Sequence, residues 1–95
     1  MQVTYLDNAA TTWPKPEDVI EAMTAYAREI GGSPGRSGHR LSIEAGRIIH
    51  RTRNGLARII DADDAFRIVF TRNATESLNL AIAGFLRPGD HVITS

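Results

Sequence analysis

Apolar positions along the chain fall into three helix-spaced stretches separated by short runs of strand character. Val19, Ile20, Met23, Tyr26, Ala27 and Ile30 recur at intervals of three and four, which predicts a helix over about residues 16–30. Pro16 suits its first position, Glu17 and Asp18 suit its positive end, and Gly31-Gly32 stops the pattern. A second stripe, Ala45, Ile48, Ile49, Leu56, Ile59 and Ile60, predicts another helix with Ser42 as N-cap. Arg47, Arg51, Arg53 and Arg58 lie off that stripe. Gly46 and Gly55 fall inside it and weaken it by about 1 kcal/mol each relative to alanine. Leu78, Ile82 and Phe85 mark a third helix over about residues 75–86, and Pro88-Gly89-Asp90 forms the turn beyond it.

Between the helices, the β-branched and aromatic run at residues 67–71 reads as a strand, and its unbroken apolar centre suits burial on both faces. Residues 91–94 begin a second strand and residues 3–6 form a brief one that enters the small polar loop Asp7-Asn8-Ala9-Ala10-Thr11-Thr12. Strand, helix and strand within about 30 residues make a βαβ unit, which requires a parallel sheet and a right-handed crossover. The expectation is therefore an α/β fold. Two short strands make a poor sheet, so the segment is expected to begin a larger α/β protein or to need a partner. The stretch 31–39, with Gly31, Gly32, Pro34, Gly35 and Gly38, suits no regular element and reads as a loop.

Composition narrows the partners. The chain has 95 residues, 42% of them hydrophobic and 23% charged, as in an ordinary globular domain. A formal net charge of +0 provides no field to attract nucleic acid or an anionic membrane, so neither is expected as a partner. Without a cysteine the segment has no disulfide, thiolate metal site or thiol nucleophile, and no metal site is expected. No basic leader or membrane-length apolar run is present, and a cytoplasmic protein is the default expectation. Lys15 is the only lysine.

In open α/β sheets, ligands bind beyond the carboxyl ends of strands. Residues 71–77, Thr-Arg-Asn-Ala-Thr-Glu-Ser, occupy that place, where a helix start presents unpaired amides and a partial positive charge. Ala74 allows close backbone approach and Thr75 adds a hydroxyl donor, so the chemistry suits a phosphate. The plainer alternative is that Thr75 only caps the helix and Asn73 makes a turn. Neither glycine-rich nucleotide signature is present, which removes the usual support for a P-loop or a dinucleotide site.

Three motifs, at these spacings and in this order, resemble the N-terminal portion of the cysteine desulfurases, in the class V aminotransferase family of fold-type I pyridoxal-phosphate enzymes. Tyr5-Leu6-Asp7-Asn8-Ala9-Ala10-Thr11-Thr12 is similar to the family's opening signature. Residues 70–81 are similar to its phosphate-binding turn, and Gly89-Asp90-His91-Val92-Ile93 to its next strand. The resemblance implies a partial fold-type I transferase. Residues 1–15 would be the N-terminal strand and active-site loop, and residues 16–95 the start of the large cofactor-binding domain with its first βαβ unit. It implies that Ala74 and Thr75 hold the phosphate of pyridoxal 5'-phosphate and that Asn8, Ala9 and Ala10 approach the substrate side. It also implies that Arg36 and His39 reach the active site of the neighbouring subunit of a homodimer. The plainer alternative for both is a solvated loop.

The implied reaction releases sulfur from L-cysteine as an enzyme persulfide, with alanine as product. A sulfur-acceptor protein is a possible partner, and sulfur metabolism and iron–sulfur cluster assembly are the setting. Transamination, selenocysteine cleavage, racemisation and a non-catalytic assembly module are the alternatives. A pyridoxal enzyme needs a lysine to bond the cofactor's aldehyde. Lys15, between Pro14 and Pro16, does not match the family's lysine. The family's catalytic lysine and persulfide cysteine have no counterpart among these residues, so no catalytic residue is expected in this segment and the chain alone is expected to be inactive.

Overall fold

The computed structural model describes residues 3–94. The chain divides into two compact units, the first ending at Gly55 and the second starting at Leu56.

In the first unit, α1 spans Glu17–Ala25 and runs on into a π-helical turn, Tyr26–Ile30. Pro16 is the N-cap and not the first helical residue, because its ψ of 138° keeps it extended while its carbonyl accepts the Val19 amide. The wider turn closes with the Gly31 amide on the Tyr26 carbonyl at 2.8 Å, and Gly31 then leaves the helix in the left-handed region at φ 53°. That conformation costs glycine little, which is why the apolar periodicity ends there.

The second helix, α2, spans Arg40–Ile59 and starts two residues before the expected cap at Ser42. Ser42 lies inside the first turn. Its amide donates to Nδ1 of His39 at 3.2 Å, while the His39 carbonyl accepts from Ile43 at 3.1 Å. The capping acceptor is thus an imidazole, and the Ser42 hydroxyl is left to bond elsewhere. The helix passes through Gly46 and Gly55 unbroken, and its most buried positions are the small residues Ser42, Ala45 and Ala57. Ile59 and Ile60, at the far end of the expected apolar stripe, are exposed.

In the second unit, Asp61 takes a left-handed φ of 54° just past α2. Asp64 then caps a 3₁₀ turn, Ala65–Arg67, by accepting the Phe66 amide at 2.8 Å. Arg67 therefore belongs to a turn and not to the start of a strand. Residues 68–71 follow, with Ile68 extended at φ −89°, ψ 117°, but no β-strand forms among the described residues. The same holds for residues 3–6 and 91–94, so the expected βαβ unit is absent as a paired structure. A strand exists by virtue of its ladder partner, and an extended run without one is only extended.

Helix α3 spans Ala74–Phe85, one residue earlier at each end than its apolar pattern suggested. Leu86 leaves it extended, and residues 87–90 turn through Gly89 at φ 97°, with the Asp90 carboxylate accepting the Arg87 amide at 2.7 Å. No helix among the described residues is long and apolar enough to cross a membrane.

Candidate functional site

The start of α3 is organised by residues on either side of Ala74 and Thr75. Asn73 is the N-cap, extended at φ −162°, ψ 169°, and its side-chain oxygen accepts the Glu76 amide at 2.8 Å. The Asn73 carbonyl accepts the Ser77 amide at 3.2 Å. Glu76 reaches back so that its carboxylate accepts from the Arg72 amide at 2.8 Å and from Arg72 Nε at 3.3 Å. This is a capping box displaced by one residue, because the reciprocal bond goes to the residue before the cap. Thr71 Oγ1 lies 3.0 Å from the Asn73 carbonyl and also bonds the Ser77 hydroxyl, bracing the turn from outside.

Two donors remain. The amides of Ala74 and Thr75 make no hydrogen bond among the described residues, and both residues are exposed. They are the orphan amides that a helix start leaves when the cap satisfies only the third. The Thr75 hydroxyl is likewise uncommitted among the described residues, so the capping role considered for Thr75 belongs to Asn73. Adjacent amides, a methyl-sized side chain and one hydroxyl at the positive end of a helix suit the oxygens of a phosphate. The nearby negative charge on Glu76 is countered by Arg72. The Arg72 amide, and then its guanidinium, hold the Glu76 carboxyl below its ordinary value.

The other expected site residues fall on two loops of the first unit. Asn8, Ala9 and Ala10 form an exposed turn in which the Asp7 carbonyl accepts the Ala10 amide at 3.1 Å. Asn8 Oδ1 accepts the Trp13 amide at 3.3 Å. The Tyr5 hydroxyl lies 2.7 Å from the Thr11 carbonyl, and its ring meets Trp13 edge-on at 5.6 Å. Lys15 Nζ donates to Thr11 Oγ1 at 2.8 Å and to the Thr12 carbonyl, which ties the only lysine into this loop.

Arg36 and His39 share the loop between the π turn and α2, and both are exposed. His39 faces the helix through Nδ1, as described above, and Arg36 forms no ion pair among the described residues. No cluster of metal-ligating side chains occurs among the described residues.

The capping network of Asn73, Glu76 and Arg72 was not singled out in the sequence, although Asn-x-x-Glu ahead of an apolar run is a recognisable signal. The Tyr26 hydroxyl donates to the Gly32 carbonyl and the Ser42 hydroxyl to the Ser33 carbonyl, both at 2.7 Å, and these bonds had no such signal because backbone carbonyls accept them.

A family model described as Aminotransferase class-V matches residues 4–95. A protein named "Probable cysteine desulfurase" from Treponema pallidum (strain Nichols) is 38% identical over 96 residues, covering 97% of this chain and 24% of its own length. "Cysteine desulfurase IscS" from Neisseria meningitidis serogroup C / serotype 2a is 43% identical over 94 residues, covering 95% and 23%. A "Probable cysteine desulfurase" from Methanothermobacter thermautotrophicus is 39% identical over 90 residues, covering 94% and 22%. The chain thus spans about a quarter of the length of the curated relatives it matches. No solved structure gives a significant match.

Proposed function

Because this chain belongs to the class V aminotransferase family, we propose that it is the N-terminal part of a pyridoxal-phosphate-dependent cysteine desulfurase acting on L-cysteine. The observation that carries this reading is the start of α3, where capping consumes the Glu76 amide and leaves those of Ala74 and Thr75 pointing at no partner among the described residues. In this reading those two amides and the Thr75 hydroxyl hold the cofactor phosphate. The Asn73 cap fixes their direction, and the Arg72–Glu76 pair keeps the carboxylate's charge from opposing the anion.

Membership in the family implies fold-type I architecture. In the complete protein, residues 68–71 and 91–94 would gain ladder partners and flank α3 as the first βαβ unit of the parallel sheet. Residues 1–15 would form the N-terminal strand and active-site loop, with Asn8, Ala9 and Ala10 on the substrate side. The loop carrying Arg36 and His39 would face the pocket of the neighbouring subunit in a homodimer. The bound cofactor supplies an electron sink that labilises bonds at the substrate's α-carbon and beyond. Sulfur would leave as an enzyme persulfide and alanine would be the product, with a sulfur-acceptor protein, iron–sulfur cluster assembly and the cytoplasm as the setting. Lys15, which does not match the family's lysine, has its amine bound within its own loop.

The test is turnover by the full-length holoenzyme. Alanine and, under reductant, sulfide formed in equal amounts from L-cysteine support the assignment. Cofactor binding with neither product assigns the chain to another activity of the family, and no cofactor binding overturns the phosphate site.

A further inference from the structure

The loop that presents Arg36 is anchored at both ends by side chains. At the near end the Tyr26 hydroxyl donates to the Gly32 carbonyl at 2.7 Å, and the Ser42 hydroxyl donates to the Ser33 carbonyl at 2.7 Å. Ser42 is 2% exposed, so this bond is shielded from competing water. Gly32 packs so closely on α2 that a Cβ there would lie 2.8 Å from the Leu41 carbonyl carbon. At the far end Nδ1 of His39 accepts the Ser42 amide at 3.2 Å. Only residues 34–38 are left between the anchors, with Gly35 at φ 80° making the bend and Arg36 next to it.

We propose that His39 and Ser42 are positioning residues that clamp both ends of this loop onto the first turn of α2 and so aim Arg36. The proposal rests on the reading of Arg36 as a pocket residue of the neighbouring subunit. An imidazole whose Nδ1 lone pair accepts a backbone amide carries its ring proton on Nε2, and it cannot take a substrate proton at Nδ1 without releasing the helix end. The bond at Nδ1 gives His39 a positioning role, holding the end of the loop that carries Arg36 on the helix start. Fixing the loop ends removes most of the loop's alternative conformations before substrate arrives, which lowers the ordering cost of binding and leaves the chemical step alone.

The experiment compares His39→Ala, His39→Asn and Ser42→Ala in the full-length holoenzyme, reading KM and kcat for L-cysteine, cofactor absorbance and hydrogen exchange of the Ser42 amide. Asparagine is a strong N-cap and has no imidazole. Expected are a KM raised about 5-fold in both alanine variants, the scale of a lost cap, with kcat and cofactor content little changed. His39→Asn should restore KM and the protection of the Ser42 amide. If His39→Asn is as impaired as His39→Ala while the Ser42 amide stays protected, the ring acts directly and the proposal fails. If the wild-type protein does not turn over L-cysteine, the desulfurase reading fails instead. Ser42 amide exchange then decides the clamp alone: exchange unchanged by His39→Ala overturns it.

Discussion

At the start of α3 the Asn73 side chain accepts the Glu76 amide at 2.8 Å, while the Thr75 hydroxyl makes no hydrogen bond among the described residues. The two residues should therefore fail in different ways. Asn73→Ala removes a cap and should destabilise the helix start by about 1 kcal/mol, with Asn73→Asp nearly neutral, as read by chemical denaturation of the full-length protein. Thr75→Ala should leave stability unchanged and weaken cofactor retention by about 1–3 kcal/mol, the scale of a charge-assisted hydrogen bond, as read by equilibrium dialysis. Equal cofactor affinity in that variant removes Thr75 from the site. Glu76 adds a pH dependence. Its folded pKa is depressed, so its contribution is complete above the ordinary value of 4.5 and is lost as pH falls through the lowered value. Protection of the Arg72 amide, taken relative to its intrinsic exchange rate at each pH, should fall in that acid window in the wild type, and Glu76→Gln should abolish that change.

At the scale of elements, the three helices were legible because each carries an apolar stripe of period 3.6, and their ends lie within two residues of those the pattern predicts. Pro16 and His39 are the instructive cases: ψ at Pro16 and a ring nitrogen at His39 set the boundaries, and neither quantity is visible in a hydropathy pattern. The strand runs at residues 67–71 and 91–94 carry the composition of strands, but pairing depends on segments far away in sequence, which local pattern does not encode. The turn at Ala74 and Thr75 was legible as a helix start after an extended run. The sharing of duties among Asn73, Glu76 and Thr75 emerged only from their bonds. The glycine loop offers an element-scale test. Gly32→Ala would set a Cβ 2.9 Å from the Leu41 carbonyl oxygen, a clash with backbone that cannot rotate away. It should destabilise the protein by about 1–3 kcal/mol, whereas Gly38→Ala, with open space around it, should cost less than about 1 kcal/mol; paired thermal melts check both.

At the scale of the whole molecule, the chain leaves much of its apolar surface in water. Leu6, Phe85 and Ile93 are 90%, 84% and 91% exposed. Surface of that kind is stabilised only by being covered. The 95-residue chain by itself is therefore expected to bind the dye ANS, to associate in sedimentation experiments and to form no alanine from L-cysteine. A monodisperse, dye-silent monomer would contradict this. The loop that ends at Lys15 has a practical use in the same experiments. Because this is the chain's only side-chain amine and Thr11 and Thr12 hold it, an acylating reagent reads one place in the molecule besides the terminus. The speed of that labelling is a clock for the opening of the 7–15 loop.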